Sequence, residues 1–246
     1  MTAHPMSPTM SLSAPLFLGL WIIMMVAMMF PTAAPMILTF HRVQESKRAR
    51  GETFVATWLF VAAYLVVWIG FGVVAYLGAV VVQTVSVGTP LEMIARMGGV
   101  VLLLAGIYQL SPLKNLCLSK CRTPLTFIMT AWRDGVGGAM RMGLEHGAYC
   151  LGCCWLLFVI LFPLGVMNVA AMAAITVLIF AEKTLPLGKR VSQIAAAALV
   201  IYGIVVVVVP EALPTYMSET SMSMPASPSP MPNDSMPMPG GPMPGM

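Results

Sequence analysis

One apolar stretch carries a histidine and three cysteines at helical spacing: His146-x-x-x-Cys150-x-x-Cys153-Cys154. At 100° per residue these side chains share one helical face about 120° wide. Thiolate with imidazole or thioether is a ligand set that suits Cu(I) and zinc. Buried cysteines also pack as small hydrophobes, which is the alternative reading. Because three thiols and a histidine fall so close together, we interpret them as metal ligands or redox groups.

The first apolar stretch adds thioethers, at Met25, Met28 and Met29. A methionine stripe by itself is typical of a core. In an antiparallel arrangement, however, these methionines and Cys150 lie at a similar depth. Met167, at the start of the fifth stretch, is a further candidate. The predicted metal site therefore combines cysteine, histidine and methionine.

A second pair of thiols, Cys117 and Cys121, lies between Pro112 and Pro124. If this segment is helical, the two thiols are one turn apart and face the same way. We expect the neighbouring basic residues to favour thiolates there: Lys114, Lys120 and Arg122. Two thiols fall short of the four ligands of a structural zinc site. We interpret the pair as a place of metal handover or redox exchange, with a structural role as the alternative.

The last 30 residues contain eight methionines among proline, serine and glycine. Thioethers form no disulfides and select soft metals, so they suit capture of Cu(I) outside the cell. A linker of low complexity without ligands is the alternative. The candidate ligands in this tail are Met222, Met224, Met236 and Met238.

Composition indicates what surrounds these residues. Charged residues make up 9% of the 246, against about 25% in soluble domains. The hydrophobic fraction is 59%, too high for a chain that must cover itself with polar surface in water. An ordinary soluble enzyme is therefore excluded. Nucleic-acid binding is excluded as well, because most of the basic residues lie in short connections between apolar stretches.

Six apolar stretches reach or approach the roughly 20 residues that cross a bilayer: residues 14–40, 54–82, 91–110, 139–162, 164–181 and 193–209. They predict an all-α, polytopic membrane bundle of six transmembrane helices. The domain prediction is an N-terminal leader at residues 1–13, a membrane domain at 14–210 and a disordered tail rich in methionine and proline at 211–246.

The basic residues predict the orientation, since short cytoplasmic connections retain Lys and Arg. They occur in the first, third and fifth connections: Arg42, Lys47, Arg48 and Arg50; Lys114, Lys120, Arg122 and Arg133; Lys183, Lys189 and Arg190. The second connection, the turn at Pro163 and everything after Val209 have none. Both termini are therefore predicted to lie outside.

Five stretches carry a family resemblance: Trp21 to Met36, Tyr108 to Leu125, Gly143 to Trp155, Gly165 to Asn168 and Glu182-Lys183. With them the chain resembles a bacterial family of predicted metal-binding integral membrane proteins, a domain of unknown function. The resemblance implies a multi-pass protein suspected of binding metal. Together with the orientation predicted from the basic residues, it gives a protein of the bacterial plasma (inner) membrane with periplasmic or extracellular N- and C-termini. It implies no activity, and it does not cover the tail.

The leading hypothesis is a membrane protein that handles Cu(I), with zinc as a second metal, by binding, transport or delivery to a membrane copper enzyme. We expect no catalysis; the partners are the lipid bilayer and a copper enzyme or copper chaperone. One alternative is a thiol oxidoreductase that uses Cys117 and Cys121 with Cys150, Cys153 and Cys154. Another is an accessory subunit of a membrane complex in which these residues only pack.

Overall fold

A computed structural model describes residues 13–165 and 168–214, and it contains helices but no strand within those ranges. The helices follow in chain order: α1 (Ala14–Ala49), α2 (Thr57–Ser86), α3 (Leu91–Gln109), α4 (Pro112–Arg122), α5 (Pro124–Ala131), α6 (Gly135–Val159), α7 (Leu161–Leu164), α8 (Val169–Thr184) and α9 (Gly188–Val208). A 3₁₀ turn at Pro210–Ala212 follows α9. The all-helical prediction is confirmed.

Five helical stretches among the described residues are long and apolar enough to cross a membrane: α1, α2, α3, α9, and α6 together with α7. The predicted fifth span forms α8, which has only 16 residues. At 1.5 Å per residue it is about 24 Å long, short of the hydrocarbon thickness of a bilayer. The structure thus supports five spans, and the sixth stays a prediction.

Helix α1 runs well past the apolar stretch that predicted it. It continues to Ala49 through most of the first basic connection, and neither Pro31 nor Pro35 ends it. Lys47 and Arg48 lie in its last turn, where cations interact favourably with the helix dipole. Gly51, with φ of 71°, then turns the chain. The apolar pattern marked where the core ends, whereas helix-forming polar residues extend the helix beyond it.

The helix predicted between the two prolines is confirmed as α4. Pro112 occupies its first turn, and the Ser111 side chain accepts a hydrogen bond of 3.1 Å from the Lys114 backbone N–H. The helix ends at Arg122, just before Thr123 and Pro124. Proline is favoured at the start of a helix, and it restricts the residue before it to extended conformations. These local signals set both ends of α4.

Small residues allow the closest helix contacts. A Cβ added at Gly143 would overlap the Phe60 carbonyl oxygen of α2, and one added at Gly147 would lie 2.9 Å from Val67. A second such contact joins α3 to α9, where Gly99 faces Gly203. These contacts hold α2 closely against α6, and α3 closely against α9.

We expect Gly143→Ala to lower the free energy of unfolding by about 1–3 kcal/mol, because the added methyl group meets fixed backbone of α2. The matched control is Gly70→Ala on α2, whose added Cβ has nothing within 4 Å. Thermal unfolding of the purified chain in detergent measures both variants. Equal melting temperatures would contradict the close approach of α2 to α6.

The main core contains methionines of α1 and cysteines of α6 in one cluster. Met25, Met28 and Met29 are buried there, as are Cys150, Cys153 and Cys154. Aromatic side chains complete the cluster, and the Trp21 indole N–H donates a 3.1 Å hydrogen bond to the Trp68 carbonyl. The candidate ligands of the two helices thus occupy one continuous interior.

Candidate metal centre

Four thiols from two helices meet around Cys150 of α6. Cys153 and Cys154 direct their Sγ atoms toward the Cys150 carbonyl oxygen, at 3.0 and 2.8 Å. Cys121 of α4 is in hydrogen-bond contact with the thiols of Cys150 and Cys153. We call these four residues the thiol cluster: Cys121, Cys150, Cys153 and Cys154. Its three members on α6 are buried, which confirms that they share one face.

A lysine also belongs to this site. The Lys183 ammonium of α8 donates hydrogen bonds to Cys150 Sγ at 3.0 Å and to Thr32 Oγ1 at 3.3 Å. The Tyr64 hydroxyl of α2 lies 3.2 Å from the same sulfur. All of these side chains are buried. Cys150 is thus held by a cation and a hydroxyl in an apolar interior, an environment that stabilises a thiolate.

Met29 reaches the site through Thr32. The Thr32 hydroxyl donates to the Met29 carbonyl at 2.9 Å and lies 3.8 Å from the Met29 sulfur. Met25 instead lines a small gap beside Trp21 and Trp68. The other candidate of α1, Met28, is buried in the same core. Of the three methionine ligands predicted on α1, Met29 is therefore the one that these contacts connect, through Thr32, to Lys183.

His146 occupies a pocket of aromatic rings. Its ring centroid lies 6.0 Å from Phe60, 5.8 Å from Tyr64 and 5.6 Å from Phe127. The imidazole is buried, and its Nδ1 atom has no hydrogen-bond partner. Tyr64 contacts both His146 and Cys150, so the histidine and the cluster share this one neighbour.

Cys117 and Cys121, predicted as a place of metal handover or redox exchange, take different positions in the structure. Helix α4 packs along α6, and a Cβ added at Gly152 of α6 would lie 2.8 Å from Cys117 Sγ. The Tyr108 hydroxyl of α3 donates a hydrogen bond to the Gly152 carbonyl. Cys121 therefore joins the thiol cluster, while Cys117 packs against Gly152. Both remain partly exposed, in contrast to the cysteines of α6.

The expectation that basic neighbours favour thiolates on α4 is wrong. Burial raises the pKa of Cys117, and hydrogen bonding to Cys150 and Cys153, together with burial, raises the pKa of Cys121. Two of the three cations are engaged elsewhere: Lys114 binds Glu182, and Arg122 donates to the Leu185 carbonyl at 2.7 Å. Both thiols of α4 are consequently protonated near neutral pH.

Lys114 and Glu182 form a buried ion pair beside the thiol cluster. The Lys114 ammonium lies 2.8 Å from each Glu182 carboxylate oxygen and 3.1 Å from Ser192 Oγ. Ser192 in turn donates to the Gln109 carbonyl at 3.2 Å. This network ties α4 to α8 and α9, and Glu182 directly precedes Lys183. It therefore sets the positions of both Cys121 and Lys183.

The sequence predicts Lys114 and Lys183 in cytoplasmic connections, and the structure shows that both side chains are buried. Their exposed fractions are 0% and 7%. Each ammonium is buried because it has partners, a carboxylate for Lys114 and Cys150 for Lys183. One sequence feature could have predicted this burial, the adjacent acid and base Glu182-Lys183 at the end of an apolar stretch. Buried charged residues usually occur in pairs or at functional sites.

The remaining predicted ligands lie outside the described residues: Met167, Met222, Met224, Met236 and Met238. Asn168 caps α8, where its side chain accepts a hydrogen bond of 3.1 Å from the Ala171 N–H. Glu145 pairs with Arg141 across one turn at 2.8 Å.

Within residues 13–165 and 168–214, no three His, Cys, Asp or Glu side chains are already arranged to hold a metal ion. Cys153 and Cys154 turn their thiols to the Cys150 carbonyl. Rotation about their Cα–Cβ bonds redirects the sulfurs. The donor set itself, thiols with a nearby thioether, suits a soft metal.

The fold and the site define an all-helical protein with five candidate membrane-spanning helices and a thiol cluster in its interior. A family model described as copper chaperone (PpoB2) matches residues 18–206, and the chain belongs to this family. The match includes every helix that contributes to the thiol cluster and its partners. No curated protein and no solved structure gave a significant match. Membership of this family supports the prediction from the sequence that the protein handles copper.

Proposed function

We propose that this protein is a membrane-embedded copper chaperone that holds Cu(I) at the thiol cluster and delivers it to a membrane copper enzyme. The observation that carries the proposal is the convergence of Cys121 with the three cysteines of α6 in a member of a copper chaperone family. Thiolates are soft ligands that prefer Cu(I). Five apolar helices support the membrane location.

The residues have different roles in this proposal. Cys150 is the central ligand, and Lys183 balances its negative charge within the apolar interior. Cys121 is the exchange ligand, because it is the partly exposed member of the thiol cluster. Zinc is the competing metal, since thiolates bind it too. Met29 supplies a neighbouring thioether, and the tail methionines are proposed as outer collectors of Cu(I).

Cys121→Ser is expected to lower the affinity for Cu(I) by at least about tenfold, because it removes the thiol that α4 contributes to the cluster. The matched control is Cys117→Ser, one turn away on the same helix and packed against Gly152. Competition with a Cu(I) chelator on the full chain, reduced and kept anaerobic in detergent, measures both. Equal losses in the two variants, or none in Cys121→Ser, would exclude this cluster as the binding site.

We further propose that both termini lie outside and that the basic ends of the helices face the cytoplasm. Exposed basic residues remain in each of the same three connections when the two buried lysines are left out: Arg48, Lys120 and Lys189 among them. An alkaline phosphatase reporter fused after Ser218 is expected to be active and one fused after Lys189 inactive. The reverse pattern would place the methionine tail in the cytoplasm, where thiols outcompete thioethers for Cu(I).

A thiol oxidoreductase is the second candidate, and one observation favours it. Cys121 and Cys150 are in contact although they lie on different helices, so their oxidation to a disulfide requires little movement. This function needs an electron acceptor such as a quinone. Metal analysis separates the two functions: a reduced protein that retains no copper after loading, yet cycles between dithiol and disulfide, would replace the chaperone proposal.

A further inference from the structure

An open cavity lies beside the thiol cluster. Its volume is about 450 Å³, within the range of sites for small molecules. It is lined by Lys120, Phe127, Thr130, Ala131, Trp132, Arg133, Glu145 and Tyr149. Two of these residues directly precede cluster members, since Lys120 is followed by Cys121 and Tyr149 by Cys150. None of the four cluster cysteines lines the cavity, but the lining includes their chain neighbours on both α4 and α6.

The charge of the cavity favours an anion. Lys120 and Arg133 form no ion pair with any described residue, whereas Glu145 is already paired with Arg141 at 2.8 Å. Asp134, next to Arg133, is bound by Lys47 and by the Trp132 indole N–H. Two cations thus remain available to a ligand, and a guanidinium matches a carboxylate in a bidentate geometry.

The walls favour a small organic ligand over a bare ion. Phe127 and Tyr149 meet nearly edge to face with ring centroids 6.2 Å apart, and Trp132 adds a third ring. The Phe127 ring also contacts His146, so it separates the cavity from the aromatic pocket of the histidine. Aromatic walls with a few polar groups are the usual composition of such sites.

We propose that this cavity binds a small thiol that carries two carboxylates and brings Cu(I) to Cys121 or takes it away. The inference rests on the proposed chaperone function. Lys120 and Arg133 hold the carboxylates, which keeps the thiol of the ligand near the partly exposed Cys121. In the exchange, the bond between Cu(I) and the ligand sulfur breaks and one to Cys121 Sγ forms. The proton of Cys121 passes to the departing thiolate, and no electrons change hands.

Direct binding to the metal-free, reduced full chain tests the site itself. The probes for calorimetry are mercaptosuccinate and its thiol-free analogue succinate. Lys120→Gln with Arg133→Gln is expected to weaken both by at least about tenfold, since it removes two charge-assisted contacts. The matched control is Lys189→Gln with Arg190→Gln, the same change of charge on exposed residues of α9 outside the cavity. Equal affinity in the two double variants would overturn the proposal.

A third probe separates a free acid from a lipid headgroup, which also presents an anion. The third probe is glycerol 3-phosphate. If it binds at least tenfold more tightly than succinate, and if its binding also depends on Lys120 and Arg133, the cavity is a site for lipid headgroups and the proposal is overturned.

Copper transfer distinguishes failure of this inference from failure of the proposed function. The cavity variant is Lys120→Gln with Arg133→Gln. With Cu(I) supplied as its mercaptosuccinate complex, this variant is expected to show a KM for the complex about tenfold higher, at an unchanged maximal rate of transfer. With Cu(I) supplied on the uncharged 2-mercaptoethanol, it should transfer as the unmodified chain does. If the cavity variant takes up Cu(I) equally well from the charged and the uncharged donor, the result would contradict the cavity proposal but leave the chaperone function standing. No uptake from either donor, with succinate binding intact, would instead contradict the chaperone function.

Discussion

Lys114→Met is expected to lower the free energy of unfolding by about 3–5 kcal/mol, because it leaves the Glu182 carboxylate buried without its cation. The two side chains are 0% and 2% exposed, so water cannot replace the lost partner. The same change removes the contact of α4 with Ser192 on α9. Thermal unfolding of the full chain in detergent, followed by helical circular dichroism, measures the loss.

Two further variants test the cause. Arg141→Met breaks the exposed pair with Glu145 and is expected to cost at most about 1 kcal/mol, since water and salt screen such pairs. Lys114→Met combined with Glu182→Leu removes both buried charges and should recover most of the stability. A double variant as unstable as Lys114→Met would show that the lysine acts by packing, and that its charge is not what matters.

The helices and the face of α6 could be predicted from the sequence because local rules determine them. Apolar stretches of sufficient length indicated α1, α2, α3 and α9, and Pro112 and Pro124 marked the ends of α4. The spacing of His146 and the cysteines predicted their common buried face. Each of these features depends on residues within a few turns of one another.

The composition of the site could not be predicted, because it depends on packing between distant segments. Nothing local places Cys121 against Cys150, 29 positions later in the chain. Lys183 followed an apolar stretch and therefore resembled an ordinary cytoplasmic lysine. Only the approach of α8 to α6 and α1 gives its ammonium the partners that make burial tolerable, Cys150 and Thr32.

Lys183→Met is expected to shift metal selectivity from Cu(I) toward Zn²⁺ by at least about tenfold. The ammonium lies 3.0 Å from Cys150 Sγ, so any ion bound to that sulfur is close to a positive charge. A divalent ion carries one more unit of charge, and at about 4 Å that unit costs on the order of 4 kcal/mol at an effective dielectric of about 20. A cost of about 4 kcal/mol corresponds to about a thousandfold change in affinity. Partial reorientation of the lysine reduces this cost, so we expect a smaller shift in selectivity.

The ratio of Cu(I) to Zn²⁺ affinity, measured by chelator competition on the reduced full chain, tests this role. Lys189→Met is the matched control, because it removes an exposed lysine at the start of α9 and should leave the ratio unchanged. Lys183→Arg keeps the charge and should retain the preference for Cu(I) if its larger head group fits. An unchanged ratio in a folded Lys183→Met protein would mean that the ammonium only holds Cys150 in place. The preference for copper would then depend on the softness of the thiolates alone.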